Sequence, residues 1–184
     1  MVDVCVWALS NRVARVMEVE GTATFPKDGP GDNANSWDVT FRFDHGVPIR
    51  YVGEGRMPEE WRRRYQWISG HGIAFEGTDG WVQAHRGRIS AGPLSLLKDL
   101  GMTPDARVSA DLAMQKNFLE SIRSRHPAAA DIEQAVQSDI ICIIADMAVR
   151  MGTPLRWDLQ QERFIGNEEA NRLRYRAMRS PWQV

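Results

Sequence analysis

The sequence predicts an α+β protein built on an open, largely antiparallel β-sheet with helices packed on one face. Three observations carry that reading. Residues 37–43 alternate strictly, with Trp37, Val39, Phe41 and Phe43 on one side and Asp38, Thr40 and Arg42 on the other. Such alternation marks a strand with one dry face and one wet face. The strand-like segments that follow are joined by a few residues only, whereas a parallel crossover needs a dozen or more. The second half then carries apolar residues at three- and four-residue spacing, the period of an amphipathic helix.

Taken in order, residues 2–9 are apolar and free of turn residues, which suits the last turns of a helix with no N-cap signal ahead of it. The chain is therefore expected to open in mid-element, as a cut chain would. Residues 12–22 are rich in Val and read as a strand ending at Gly21. Residues 25–36 hold Pro26, Gly29, Pro30, Gly31 and Asp32, all punctuation residues, and read as a loop. The alternating strand then meets a turn at Asp44-His45-Gly46, and Val47, Ile49 and Tyr51 return as the second arm of a hairpin. Residues 53–65 are irregular or weakly helical. Ile73 and Phe75 start a further strand, Thr78-Asp79-Gly80 turns it, residues 81–85 return, and Arg86-Gly87 leads to residues 88–91.

The helical half begins with a short helix over residues 93–100, stopped by Gly101. Residues 113–125 follow, with Met114, Phe118 and Ile122 four apart. Asp131 is the expected N-cap of the longest helix, which runs to Arg150 or Met151 and stops at Gly152 and Pro154. Its apolar stripe reads Ile132, Val136, Ile140, Ile143, Ile144, Met147 and Met151. A short extended piece at residues 155–157 and a helix near residues 168–174 complete the chain.

Composition narrows the function. The 184 residues carry a formal net charge of −1, which gives no general electrostatic reason to bind nucleic acid or an anionic membrane. The Arg62-Arg63-Arg64 run reads as a solvated face. The longest apolar run, residues 140–145, is far shorter than the about 20 residues that span a bilayer. No secretory signal is visible, so a cytoplasmic location is expected. Cys5 and Cys142 lie far apart without a C-x-x-C spacing, and Cys142 reads as a small buried hydrophobe. No H-E-x-x-H or other ligand spacing suggests a metal. His45 and His126 read as surface residues. Gly70-His71-Gly72 is explained by a turn. Gly53-Glu54-Gly55 lacks the third glycine of a dinucleotide loop, Pro58 standing in its place. Asp139 and Asp146 share a helix face, and Asp146 with Arg150 suits an i,i+4 ion pair. Trp37 and Trp81 read as core.

Four segments point further when taken together. The tail reads Leu155-Arg156-Trp157-Asp158, Arg163-Phe164, Glu169-Ala170-Asn171 and Arg176-Ala177-Met178-Arg179-Ser180-Pro181-Trp182. Gly72-Ile73-Ala74-Phe75-Glu76-Gly77-Thr78-Asp79-Gly80-Trp81-Val82 precedes it, as does Ser138-Asp139 with Ala145-Asp146-Met147-Ala148-Val149-Arg150-Met151-Gly152. Asp3-Val4-Cys5-Val6-Trp7-Ala8-Leu9 stands at the start. In this order they resemble the C-terminal part of the Gfo/Idh/MocA oxidoreductases (glucose–fructose oxidoreductase, inositol dehydrogenase and relatives). One departure is that Ala135-Val136-Gln137-Ser138 stands where many relatives carry G-H-R-S.

The resemblance implies a C-terminal domain whose full-length relatives also carry a Rossmann domain, use NAD or NADP and act on sugars, polyols or their derivatives. It implies that the outer sheet face makes a homo-oligomer. The relatives' catalytic Lys belongs to a Glu-Lys-Pro segment not found here. Their catalytic His lies in H-x-x-D, and with Asp3 as that aspartate the His would fall just before Met1. Asp3 is then the one substrate-binding candidate, and no catalytic, cofactor-binding or metal-binding residue is assigned. Residues 1–184 are accordingly expected to be a single substrate-binding and oligomerisation domain, truncated, without the NAD(P)-binding domain, binding no cofactor and inactive alone. The alternative is a stand-alone, non-catalytic module that binds a carbohydrate or a partner protein.

Overall fold

The computed structural model describes residues 2–9, 15–44, 46–67, 70–85, 88–99, 111–175 and 178–181. They form α1 (Val2–Leu9), β1 (Val16–Thr24), β2 (Ser36–Phe43), β3 (Ile49–Val52), α2 (Glu59–Arg64), β4 (Gly72–Gly77), β5 (Gly80–His85), β6 (Arg88–Gly92), α3 (Ser95–Asp99), α4 (Asp111–Ser124), α5 (Ile132–Met151), β7 (Leu155–Asp158), β8 (Arg163–Phe164) and α6 (Glu168–Leu173). The α+β class with antiparallel sheets and packed helices is as expected. The strands, however, are shared between two sheets, one ordered β3-β2-β1-β7-β8 and one ordered β4-β5-β6. The chain correspondingly divides into two compact units, residues 1–8 with 57–140 and residues 9–56 with 141–184. The expected turns at His45 and Arg86-Gly87 and the stop at Gly101 lie outside the described residues. Among the described residues no helix is long and apolar enough to cross a membrane.

The five-stranded sheet is antiparallel throughout. Register places Val19 across from Phe41 and Leu155, and Met17 across from Phe43 and Trp157. Period-two geometry therefore puts Met17, Val19, Val39, Phe41, Leu155 and Trp157 on one face, and all are buried. β1 does not end at Gly21 but runs through it to Thr24. A Cβ at Gly21 would press on the Asp38 carbonyl and on Val39 Cα at 2.8 Å. The glycine is there so that β2 can lie close, not to stop the strand.

The part of α5 that belongs to the same unit, residues 141–151, buries Ile141, Ile144, Ala145 and Ala148. This is a stripe rotated from the expected one. Ile132, Val136 and Ile143 are exposed. The buried face includes the small Ala145 and Ala148 rather than all the large apolar side chains. Cys142, expected to be buried, is exposed, while Cys5 is the buried thiol. Asp131 caps α5 as expected, its Oδ1 accepting from the Gln134 N–H at 2.8 Å. Gly152, at φ +63°, closes the helix in the left-handed region that suits glycine.

In the other unit, the β4-β5-β6 sheet buries Gln83 and Ser90, the Ser90 hydroxyl donating to Gln83 Oε1 at 2.9 Å. Tyr65 lies edge-on to Trp81 with ring centroids 5.4 Å apart, and Trp67 edge-on to His85 at 6.3 Å. Trp81 is half-buried rather than core, as is Trp37 in its own unit. Burial pushes the Tyr65 phenol up to about 12, with the Glu76 carboxylate adding to the effect.

Candidate functional site

The alternation that buries one face of the five-stranded sheet fixes the other. β1 sends out Glu18, Glu20, Thr22 and Thr24, and β2 sends out Ser36, Asp38, Thr40 and Arg42, as the sequence predicts for the latter strand. Opposite-charge neighbours are built into the register. Glu18 stands across from Arg42 on one side and Arg156 on the other. Arg42 donates diagonally to the Glu20 carboxylate. Arg50 on β3 forks onto Asp38, Nε to Oδ1 at 2.9 Å and Nη2 to Oδ2 at 2.6 Å. This fork holds the Asp38 carboxyl below its usual value of 3.8. Arg56, in the 3-10 turn Glu54–Arg56, donates to Thr22 Oγ1 at 2.6 Å and to Ser36 Oγ at 3.1 Å. Thr24 and Ser36 share a hydroxyl–hydroxyl bond of 2.7 Å. Each exposed ion pair contributes at most about 1 kcal/mol. Their combined effect is a polar surface rich in paired donors and acceptors.

A second constellation gathers the tail motif. Trp157 is buried edge-on to Phe164 at 4.8 Å, and the Arg174 guanidinium lies over the indole at 5.6 Å. Asp158 Oδ1 accepts from the Gln160 and Gln161 N–H groups, both at 2.9 Å. Asn167 caps α6 by accepting from the Ala170 N–H at 2.9 Å. Asn171 accepts from the Phe164 N–H at 2.8 Å and donates to the Phe164 carbonyl at 3.0 Å. One side-chain amide thus takes the place of a neighbouring strand at the β8 edge. The letters of this motif are visible in the sequence, and among the described residues they build a hydrogen-bonded corner.

The remaining candidates are placed individually. Asp3 is exposed in the first turn of α1. Asp139 is exposed, and Asp146 holds Arg150 at 2.6 Å as expected. The same Arg150 reaches the Asp32 carbonyl at 2.9 Å and stacks over Phe25 at 4.9 Å, pinning the loop of residues 25–35. Sequence patterning missed this contact because it joins positions 118 apart. Arg63 and Arg64 of the basic run face water and pair with Glu59 and Glu76. His71 and His126 are exposed, and His45 lies outside the described residues. Among the described residues, no group of three or more His, Cys, Asp or Glu could hold a metal ion.

Antiparallel sheets with packed helices, and a corner built by Trp157, Asp158 and Asn171, define an α+β domain. The family described as "Oxidoreductase family, C-terminal alpha/beta domain" matches residues 31–184, and the chain belongs to that family. No curated protein and no solved structure matches the chain.

Full-length members of such families commonly use NAD(P). A dinucleotide is held by a glycine loop between a parallel strand and the N-terminus of a helix. Among the described residues every strand pair is antiparallel. Gly53-Glu54-Gly55 leads only into a three-residue 3-10 turn, with the Gly53 N–H turned to the Trp37 carbonyl at 2.8 Å. The described residues do not build a dinucleotide cradle.

Proposed function

We propose that this chain is the substrate-binding and associating domain of an NAD(P)-dependent oxidoreductase acting on sugar- or polyol-like small molecules. The observation that carries this reading is the family match over residues 31–184. Hydride transfer needs a nicotinamide positioned by protein against the substrate. The 184 residues by themselves offer neither a dinucleotide cradle among the described residues nor a Glu-Lys-Pro or H-x-x-D motif. Asp3 is assigned to substrate hydroxyls, its exposed carboxylate being free to accept from them. The polar outer face of the five-stranded sheet is assigned to subunit contact, where Glu18, Glu20, Asp38, Arg42, Arg50 and Arg156 supply complementary charge.

The test is twofold. The purified chain, given NAD or NADP and a panel of polyols and aldoses, is expected to form no reduced nicotinamide above the blank. Supplied with the dinucleotide-binding half of a family oxidoreductase, as a fusion, it is expected to gain turnover that Asp3→Ala lowers. Turnover by the chain alone would overturn the first part of the reading. A fusion whose turnover is indifferent to Asp3→Ala would overturn the role of Asp3.

A further inference from the structure

We infer that residues 26–34, between β1 and β2, are a strap fastened to α5 by Arg150, and that this strap opens as a unit while the five-stranded sheet stays folded. Strap, sheet and the Arg150 end of α5 belong to one compact unit. The two ends of the strap are held without it. The Asn35 N–H donates to the Thr24 carbonyl at 2.7 Å, and Thr24 and Ser36 share their hydroxyl–hydroxyl bond. The β1–β2 ladder that starts from Thr24 and Ser36 therefore closes the loop whatever the strap does.

Between those ends every residue from Lys27 to Asn33 is exposed. A Cβ at Gly29 or Gly31 would meet nothing within 4 Å, so the middle of the strap stands in open space. One guanidinium ties it down. Arg150 Nη2 donates to the Asp32 carbonyl at 2.9 Å and Nη1 to Asp32 Oδ2 at 3.3 Å, and the same group lies over the Phe25 ring at 4.9 Å. One turn back on α5, Asp146 Oδ2 accepts from Arg150 Nε at 2.6 Å and so aims the fork. Two nitrogens are thus committed to the strap and one to the helix itself, a division that the planar arginine fork allows and a lysine does not. The Asp32 side chain is 88% exposed, so water competes for the fastening and the closed state is favoured only modestly. Few buried contacts and a single solvent-facing clasp are the marks of a segment that opens locally. Opening frees the guanidinium and the Phe25 ring beside it.

The experiment is limited trypsin digestion of the folded 184-residue chain, with the cut after Lys27, inside the strap, followed by mass. When opening is fast relative to cleavage, the rate of that cut reports the open population. Arg150→Gln is expected to speed it about tenfold. Asp32→Ala, at an exposed site that does not endanger the fold, is expected to speed it less, because the Asp32 carbonyl remains. In the Arg150→Gln background Asp32→Ala should add nothing. In the parent, the rate corrected for the protease's own activity should rise with urea far less steeply than global unfolding followed by circular dichroism. Equal rates in the parent and in Arg150→Gln would overturn the clasp. Additive effects of the two substitutions would place them in separate contacts and overturn the single fastening. A urea dependence as steep as that of global unfolding would overturn local opening.

Discussion

Asn171 shows how much one side chain can carry. Its amide makes both bonds that a neighbouring strand would offer Phe164. Asn171→Ala leaves a buried backbone pair unmet and is expected to cost about 2 kcal/mol, read as a lower urea midpoint. Asn171→Asp keeps the acceptor, loses the donor and should fall between. Asp158 gives a pH signature. The backbone N–H groups of Gln161 and Gln160 hold its carboxyl below the usual 3.8. A carboxyl lowered in the folded state contributes fully above its unfolded pKa and loses that contribution as pH falls through the folded value. Stability should therefore decline on acidification below about pH 4, and Asp158→Asn should flatten that decline. The thiols differ too. Burial pushes Cys5 up to about 11, whereas Cys142 is exposed. A thiol reagent at neutral pH should label one cysteine quickly, and Cys142→Ser should abolish the fast phase. These residues were legible in the sequence as letters, but an amide that reads a backbone edge leaves no periodic trace.

At the scale of elements, period-two alternation in residues 37–43 located β2 and its wet face because one residue in two must choose between core and water. The same logic failed at Gly21, where a punctuation residue sits in mid-strand to admit the Asp38 backbone. Gly21→Ala is expected to force β1 from β2 and destabilise by about 1–3 kcal/mol, measured by thermal unfolding. The long helix was placed within a residue, with Asp131 and Gly152 as its ends. Its buried stripe was not: Ala145 and Ala148 are buried while Ile132 and Ile143 are exposed. The apolar stripe of α4 was equally plain in the sequence, yet it faces water. Spacing reveals an apolar face but not what covers it.

At the scale of the molecule, the antiparallel class was legible because short links forbid parallel crossovers, whereas the division into two sheets was not. Register among distant strands depends on contacts that no local pattern encodes. The family was legible from ordered short motifs, and residues 31–184 bear it out. If the outer sheet face joins subunits as proposed, charge reversal at Arg42 and Arg50 should lower the association constant measured by light scattering, more so at low salt. The closed β8 edge bears on a different kind of growth. A sheet with two open edges can add strands from copy after copy, which is how fibres extend. Here, on one outer strand of the five-stranded sheet, both backbone groups of Phe164 are taken by the Asn171 amide. Asn171→Ala bares a backbone donor and an acceptor at that edge, the kind of template onto which a strand of another copy adds.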